Sequence, residues 1–130
     1  MTKVDKFWEE LPSSCPPAEA IDSELGPVFR LVKAAPPSND CFASKAALGK
    51  QKPFKKSVDD CSWASCSMWN KKSAVEGVLK LGHVRRQYTH VATMHFPEGA
   101  GKHLAKGDHV DFWCYANFEI HDAINDVEAL

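Results

Sequence analysis

The 130-residue sequence lacks several features that mark large classes of protein. No apolar run approaches the roughly 18–20 residues that cross a bilayer. The opening MTKVDKFWEELP mixes charges with aromatic residues, which is not the apolar segment of a signal peptide. There is no internal repeat and no low-complexity tract. These absences predict a cytoplasmic protein without a membrane segment.

Metal and nucleotide signatures are missing as well. The six histidines and five cysteines match no zinc spacing, and no C-x-x-C is present. The segment Gly99–Lys102 has part of a phosphate-loop pattern, but Phe96 stands where the first glycine belongs. Five cysteines are an odd number and are widely spread, so reduced thiols are expected. We therefore predict no metal and no cofactor.

The net charge is only −1, but it is divided unevenly along the chain. Residues 1–44 carry four basic and seven acidic side chains, residues 45–86 carry ten and three, and residues 87–130 carry two and seven. The near-neutral total argues against nucleic acid as a partner. The lysine-rich middle predicts a local basic rim, against which the acidic ends can fold.

Four segments have the β-branched and aromatic content of strands: residues 27–34, 61–69, 87–96 and 109–118. The capping-box spacing of Ser73 and Glu76 predicts a helix that stops at Gly82. A turn or two of helix is expected within residues 5–11, a short helix after Asp40, and another in the acidic tail. Residues 49–57 and 97–108 are expected to be loops.

This order predicts an α+β fold with a small, mostly antiparallel sheet and two or three short helices. The length fits a single domain. Proline breaks the chain at residues 12–17, so residues 1–26 are expected to form an N-terminal arm packed on the body. Residues 27–130 are expected to form the single α+β domain.

The last predicted strand carries the most distinctive polar face. Because side chains alternate along a strand, Val110, Phe112 and Cys114 should face the core, and the opposite face should mix polar and aromatic groups. If residues 87–96 pair with this strand, His95 joins the same face, and residues 61–69 add Trp63 and Ser65. The candidate ligand-binding residues are Arg30, Trp63, Ser65, His95, His109, Asp111, Trp113 and Tyr115.

Other interpretations of these residues stay open at this point. The aromatic face can simply be covered by the N-terminal arm, with Trp113 packed on Phe7 or Trp8. Arg30 interrupts an apolar strand, and its guanidinium needs a carboxylate, a carbonyl or a ligand phosphate as partner. His109, Asp111 and His95 are also the candidate catalytic residues, because a histidine beside a carboxylate can act as a base.

Several short motifs spread over most of the chain resemble a group of small uncharacterised bacterial proteins. They are Trp8-x-x-Leu11-Pro12, Cys15-Pro16-Pro17, Phe29-Arg30-Leu31-Val32, Pro36-Pro37, Asp40-x-Phe42-x-Ser44 and Gly107-x-His109-x-x-x-Trp113. The resemblance implies a bacterial, stand-alone cytoplasmic domain, and it implies no activity.

A fainter resemblance is to ADP-ribosyltransferase-type domains, through Phe29-Arg30, the serine-containing segment with Ser65 and Ser67, and the polar last strand. It implies a dinucleotide cleft. The late glutamate of that group has only Glu119 as its counterpart, beyond the predicted strand. Fold-level likeness alone assigns no function.

Together these features predict a small binding protein whose polar, aromatic sheet face, with its basic rim, engages a phosphorylated small ligand or an acidic partner. One alternative is an ADP-ribosyltransferase-like or other nucleotide-directed enzyme, with His109 as base. Another is a partner protein of the immunity or antitoxin kind, in which exposed aromatics make the contacts.

Overall fold

The computed structural model describes residues 6–52 and 58–130. Residues 53–57, which belong to the predicted lysine-rich loop, and residues 1–5 of the arm lie outside the described residues. The fold is α+β with one antiparallel six-stranded sheet, as predicted. Its strands are β1 (Leu25–Val32), β2 (Cys66–Trp69), β3 (His90–Phe96), β4 (Gly101–Lys106), β5 (His109–Cys114) and β6 (Ile124–Ala129). Their order across the sheet is β4-β5-β2-β1-β3-β6.

The helices are short. They are α1 (Asp60–Trp63), α2 (Lys72–Leu79) and α3 (Gly82–Arg85), with 3-10 turns at Asn39–Phe42 and Ile120–Ala123. The helix predicted after Ser73 is confirmed as α2, although Lys71 is its N-cap and makes no side-chain capping bond. Gly82, the predicted stop, is not its end but the first residue of α3. The helix predicted after Asp40 is a single 3-10 turn. Residues 6–11 are not helical.

Each face of the sheet has its own core. The larger core lies under the two 3-10 turns and includes Val28, Val32, Met68, Met94, Val110 and Phe112. The other face buries Leu31 and Val91 against Val75 of α2. The alternation predicted for β5 is therefore confirmed for its core side. His109, Asp111 and Trp113 lie on the face that carries α2.

Three predictions about which segments form strands are wrong. Residues 97–108 contain β4, because Gly101 lets this segment lie close to β5; a Cβ there would be 2.2 Å from the Trp113 carbonyl oxygen. The tail forms β6 and not a helix, since Ile124 and Val127 pack into the larger core. In the segment 61–69 only Cys66–Trp69 is a strand, because the side chain of Asp59 caps α1 by accepting from the Ser62 amide.

The N-terminal arm runs along the β4–β5 end of the sheet. Phe7 forms a bridge with Tyr115, and Ile21 forms one with His103. A disulfide joins Cys15 of the arm to Cys61 of α1. The expectation of five reduced cysteines is therefore wrong for this pair, which the fold brings together across 46 positions of sequence. No helix in the described part of the chain has the length and apolar character to cross a membrane.

Candidate functional site

The most unusual polar group in the structure is the carboxylate of Asp111. Its residue is 0 % exposed, on the face of β5 that α1 covers. The Ser65 hydroxyl donates to Oδ1 at 3.1 Å, and the Ser62 hydroxyl donates to the same oxygen at 3.2 Å. A buried carboxylate requires partners of this kind, because its transfer from water is costly. Asp111 is thus the anchor of a polar cluster under α1.

Two basic side chains complete this cluster. Nζ of Lys106 lies 3.2 Å from Oδ2 of Asp111, and Nδ1 of His109 lies 3.4 Å from Oδ1. Among the described residues Oδ2 has no partner with hydrogen-bond geometry, so its contact with Lys106 is an ion pair. Lys106 and His109 keep 45 % and 35 % of their side chains exposed, respectively. The buried carboxylate is therefore connected to solvent through two bases.

The electrostatics differ at these two bases. Burial lowers the pKa of Lys106, but its ion pairs with Asp111 and Asp59 outweigh this, so the pKa is raised. Burial is the main cause that lowers the pKa of His109, and Asp111 opposes it. The positive charges of Lys106, Lys45 and Arg30 add to the lowering. At neutral pH, Lys106 is charged and His109 is neutral.

Helix α1 is fastened over the cluster at several points. The Cys61 carbonyl accepts from Nε1 of Trp113 at 3.0 Å, and Asp59 pairs with Lys106 at 3.3 Å. The disulfide from Cys15 ties the same helix to the arm. None of the four residues of α1 is buried, so these polar and covalent links, together with the Ser62 bond, hold it in place.

Aromatic rings border the exposed side of His109. Trp69 meets its ring edge-on, with 6.0 Å between ring centroids. Nζ of Lys45 lies 5.3 Å from the centroid of the Trp63 ring, and Nε1 of Trp63 donates to the Lys50 carbonyl at 3.0 Å. The ammonium groups of Lys45 and Lys106 and the imidazole of His109 form what we name the basic rim.

Much of the aromatic face on which a ligand was predicted to stack is buried. Trp113 is 2 % exposed and Tyr115 is 9 % exposed. The Tyr115 ring packs on Phe7 at 5.3 Å, and its hydroxyl donates to Asp22 at 3.1 Å. Covering by the arm, the alternative left open by the sequence, describes Tyr115. Trp113 is also buried, but its indole N–H is bonded to Cys61 of α1. Ser65 is also buried, whereas Trp63 is half-buried beside Lys45.

Arg30 is bound to main-chain carbonyls. Its guanidinium donates to the carbonyls of Cys41 at 2.9 Å, Ser67 at 2.7 Å and Ala43 at 3.3 Å. Of the three partners that the sequence left open, the carbonyl is the one found. These bonds join β1, β2 and the first 3-10 turn, so Arg30 acts on the basic rim only through its charge.

His95 lies apart from the cluster. The predicted pairing of its strand with residues 109–118 is wrong, because β2 and β1 stand between β5 and β3. His95 shares the sheet face of Asp111, but its Nε2 lies within hydrogen-bond distance, 2.7 Å, of Oε2 of Glu24. Glu119, the only counterpart of the ADP-ribosyltransferase glutamate, is exposed at the N-cap of the second 3-10 turn.

Sequence reasoning missed Ser62 and Lys106. Ser62 follows a capping aspartate by three residues, and this signal was available in Asp59-x-x-Ser62. Lys106 precedes Gly107 and Asp108, which form a tight turn with Gly107 at φ +66°. A glycine-aspartate turn beside the strong strand 109–118 indicates a hairpin. The lysine would then have been placed opposite His109, where the register has it.

Two cavities among the described residues lie away from His109. One of about 20 Å³, room for a single water, separates the arm from β5 near Trp8 and Trp113. A wide depression of about 520 Å³ is lined by Glu10, Leu11 and the turn at Ala46–Ala47. Neither includes His109, which keeps 35 % of its side chain exposed. Within residues 6–52 and 58–130 no His, Cys, Asp and Glu cluster could hold a metal ion.

The fold and the cluster define the class only broadly: an α+β domain with a buried carboxylate beneath an exposed imidazole and lysine. Comparison of the chain with protein-family models, curated proteins and solved structures gives no match. The two resemblances drawn from motifs therefore gain no support from these comparisons.

Proposed function

We propose that this protein is a small binding protein that holds a phosphorylated small ligand at the basic rim. The observation that carries the proposal is the balance of charge at His109. Nζ of Lys106 and Nδ1 of His109 lie 3.2 Å and 3.4 Å from the buried carboxylate of Asp111. Besides burial, the charges of Lys106, Lys45 and Arg30 disfavour a further positive charge on the imidazole, and Asp111 opposes them. A phosphate placed there gains from both rim lysines. Its negative charge also favours the protonated form of His109, whose Nε2–H then donates to the phosphate while Nδ1–H stays on Asp111.

The ring contacts favour a ligand with a flat group beside its phosphate. Trp63 and Trp69 are both half-buried at this surface, and Lys45 lies over one of them. A base or other planar group can pack there while the phosphate faces Lys106. This revises the predicted mode of binding. Trp63 and His109 stay in the proposed site, Trp113 and Ser65 are buried behind it, and Tyr115 packs on the arm.

Calorimetric titration with inorganic pyrophosphate, AMP and NAD at low salt tests the proposal. His109→Gln and Lys45→Ala should each weaken binding by about five- to tenfold, because each removes one phosphate contact. Lys80→Ala, an exposed lysine after α2, is the matched control and should bind like wild type. Absence of binding by all three probes, or equal binding by all variants, would contradict the proposal.

A nucleotide-directed enzyme is the second candidate, and one observation favours it. Nδ1 of His109 faces Asp111, so Nε2 is the ring nitrogen left for a substrate, as in histidine bases oriented by a carboxylate. If turnover of NAD or of a phosphodiester is found, His109→Gln should abolish it while folding is retained. Arg30 does not support an ADP-ribosyltransferase-like activity, because its guanidinium already donates to three main-chain carbonyls.

The cytoplasmic and bacterial assignments stay predictions. The observation that speaks against the cytoplasm is the Cys15–Cys61 disulfide, since such bonds persist mainly in oxidising compartments. A protein partner of the immunity or antitoxin kind likewise stays a prediction for the arm, where Trp8 is 39 % exposed.

A further inference from the structure

The two edges of the sheet are treated differently by the fold. At the β4 edge the arm supplies a bridge: Ile21 donates its amide to the His103 carbonyl at 3.0 Å, and His103 returns the bond at 2.9 Å. At the other edge, β6 pairs with β3 on its inner side. Among the described residues no strand or isolated bridge lies on its outer side. Within residues 6–52 and 58–130, one edge is covered and the other is open.

The register shows which main-chain groups this open edge presents. Leu130 donates its amide to the Thr89 carbonyl at 2.9 Å, next to the His90–Ala129 pair. Because bonding alternates along an antiparallel strand, Glu128 and Asp126 bond inward to β3. The amides and carbonyls of Val127 and Ala129 therefore point outward, ready to pair with another strand.

The side chains of β6 give the edge a definite charge. Val127 faces the larger core, whereas Asp126 and Glu128 are exposed on the opposite face. Residues 119–130 contain four acidic side chains and no lysine or arginine. The cation within reach among the described residues is Lys72, 3.3 Å from Glu128. The edge is thus acidic as well as open.

These acids disfavour pairing with a second copy of the same strand. If two β6 edges met antiparallel with Val127 opposite Val127, Asp126 of each would stand directly opposite Glu128 of the other. Moving the register by two residues places Glu128 opposite Glu128. Like charges directly opposite each other destabilise a strand pair. By the same rule, Asp126 and Glu128 favour a partner strand that places lysine or arginine opposite them.

We propose that the outer edge of β6 is a docking strand for an extended basic segment of another protein, which adds a seventh strand to the sheet. Its main chain pairs with Val127 and Ala129, and basic side chains at alternate positions lie beside Asp126 and Glu128. This surface is separate from the basic rim, because β2, β1 and β3 lie between β6 and β5. The inference does not depend on the proposed function.

A synthetic peptide with lysine and valine alternating over seven residues is the probe, with a glutamate-valine peptide of the same length as its control. We expect the lysine peptide to bind the full chain, and calorimetry or fluorescence anisotropy measures it. Asp126→Lys together with Glu128→Lys should weaken that binding by about a hundredfold and confer binding of the glutamate peptide. Val127→Pro should weaken it by about tenfold or more, because it removes an outward amide that β3 does not use.

Thermal unfolding of each variant shows whether the fold is kept, and Asp122→Lys, outside β6, is the matched charge control. The proposal is overturned if the lysine peptide fails to bind at about 1 mM. It is also overturned if folded Val127→Pro and the double charge reversal bind the peptide as wild type does. If sedimentation shows a dimer that Val127→Pro dissociates, the occupant is a second copy and the proposal is wrong.

Discussion

Nδ1 of His109 lies 3.4 Å from Oδ1 of Asp111, two residues further along β5, with the first side chain a third exposed and the second fully buried. Because side chains alternate along a strand, both residues lie on one face of β5. Helix α1 covers Asp111 but leaves His109 partly exposed. A solvent-facing imidazole is thereby coupled to a carboxylate that water does not reach. Protonation of His109 therefore changes the electrostatic potential at the buried carboxylate of Asp111.

Asp111→Asn should reduce the free energy of unfolding by about 1–3 kcal/mol, because two serine hydroxyls donate to a charged oxygen that the amide replaces only in part. Lys106 can turn to Asp59 and water, which limits the loss. Urea unfolding measures the change. Asp108→Asn, in an exposed pair with Lys71 at 3.6 Å, is the control and should fall within about 0.5 kcal/mol of wild type.

The stability of the protein should fall as the pH is lowered through the range of histidine titration. The pKa of His109 is lowered by burial, so the unfolded chain takes up this proton at a higher pH than the folded one does. His109→Gln should flatten the decline in unfolding free energy between about pH 7 and pH 5. Burial also lowers the pKa of His103, so part of the slope should remain. An unchanged slope in His109→Gln would contradict this assignment.

The sequence allowed most of the central strands to be predicted, because β1, β3 and β5 each carry three β-branched or aromatic residues. The edge strands were missed, since β4 is written GKHLAK and β6 INDVEA. Polar and charged residues are tolerated at edges, where pairing with a neighbour decides the conformation. Local propensity could not show that pairing.

For the candidate site the sequence placed His109 and Asp111 on one face, because alternation within one strand is a local property. It could not show that Ser62 and Lys106 reach Asp111, since those contacts depend on α1 and on the β4–β5 hairpin. It also could not choose a partner for Arg30. The three carbonyls come from two separate segments of the chain.

Arg30→Lys should destabilise the protein by about 2–3 kcal/mol, because one ammonium cannot replace a planar group that reaches three carbonyls. Chemical denaturation measures the loss, and Arg85→Lys in α3, which is exposed, should have little effect. Since Arg30 holds carbonyls and no ligand, ligand affinity of the folded variant should stay within about twofold of wild type. A selective loss of affinity at unchanged stability would instead make Arg30 a ligand contact.

Removal of the Cys15–Cys61 disulfide should loosen the cover over Asp111 as well as lower stability. For a closed loop with a separation of 46 residues, chain entropy gives a loss of about 4 kcal/mol in Cys15→Ser with Cys61→Ser. Near-ultraviolet circular dichroism should change too, because Trp113 donates to the Cys61 carbonyl. Thiol titration of unreduced, denatured protein should find three thiols, those of Cys41, Cys66 and Cys114. Five thiols in freshly purified protein would mean that the Cys15–Cys61 disulfide is absent and that other contacts hold the arm. That result would favour the predicted cytoplasmic location.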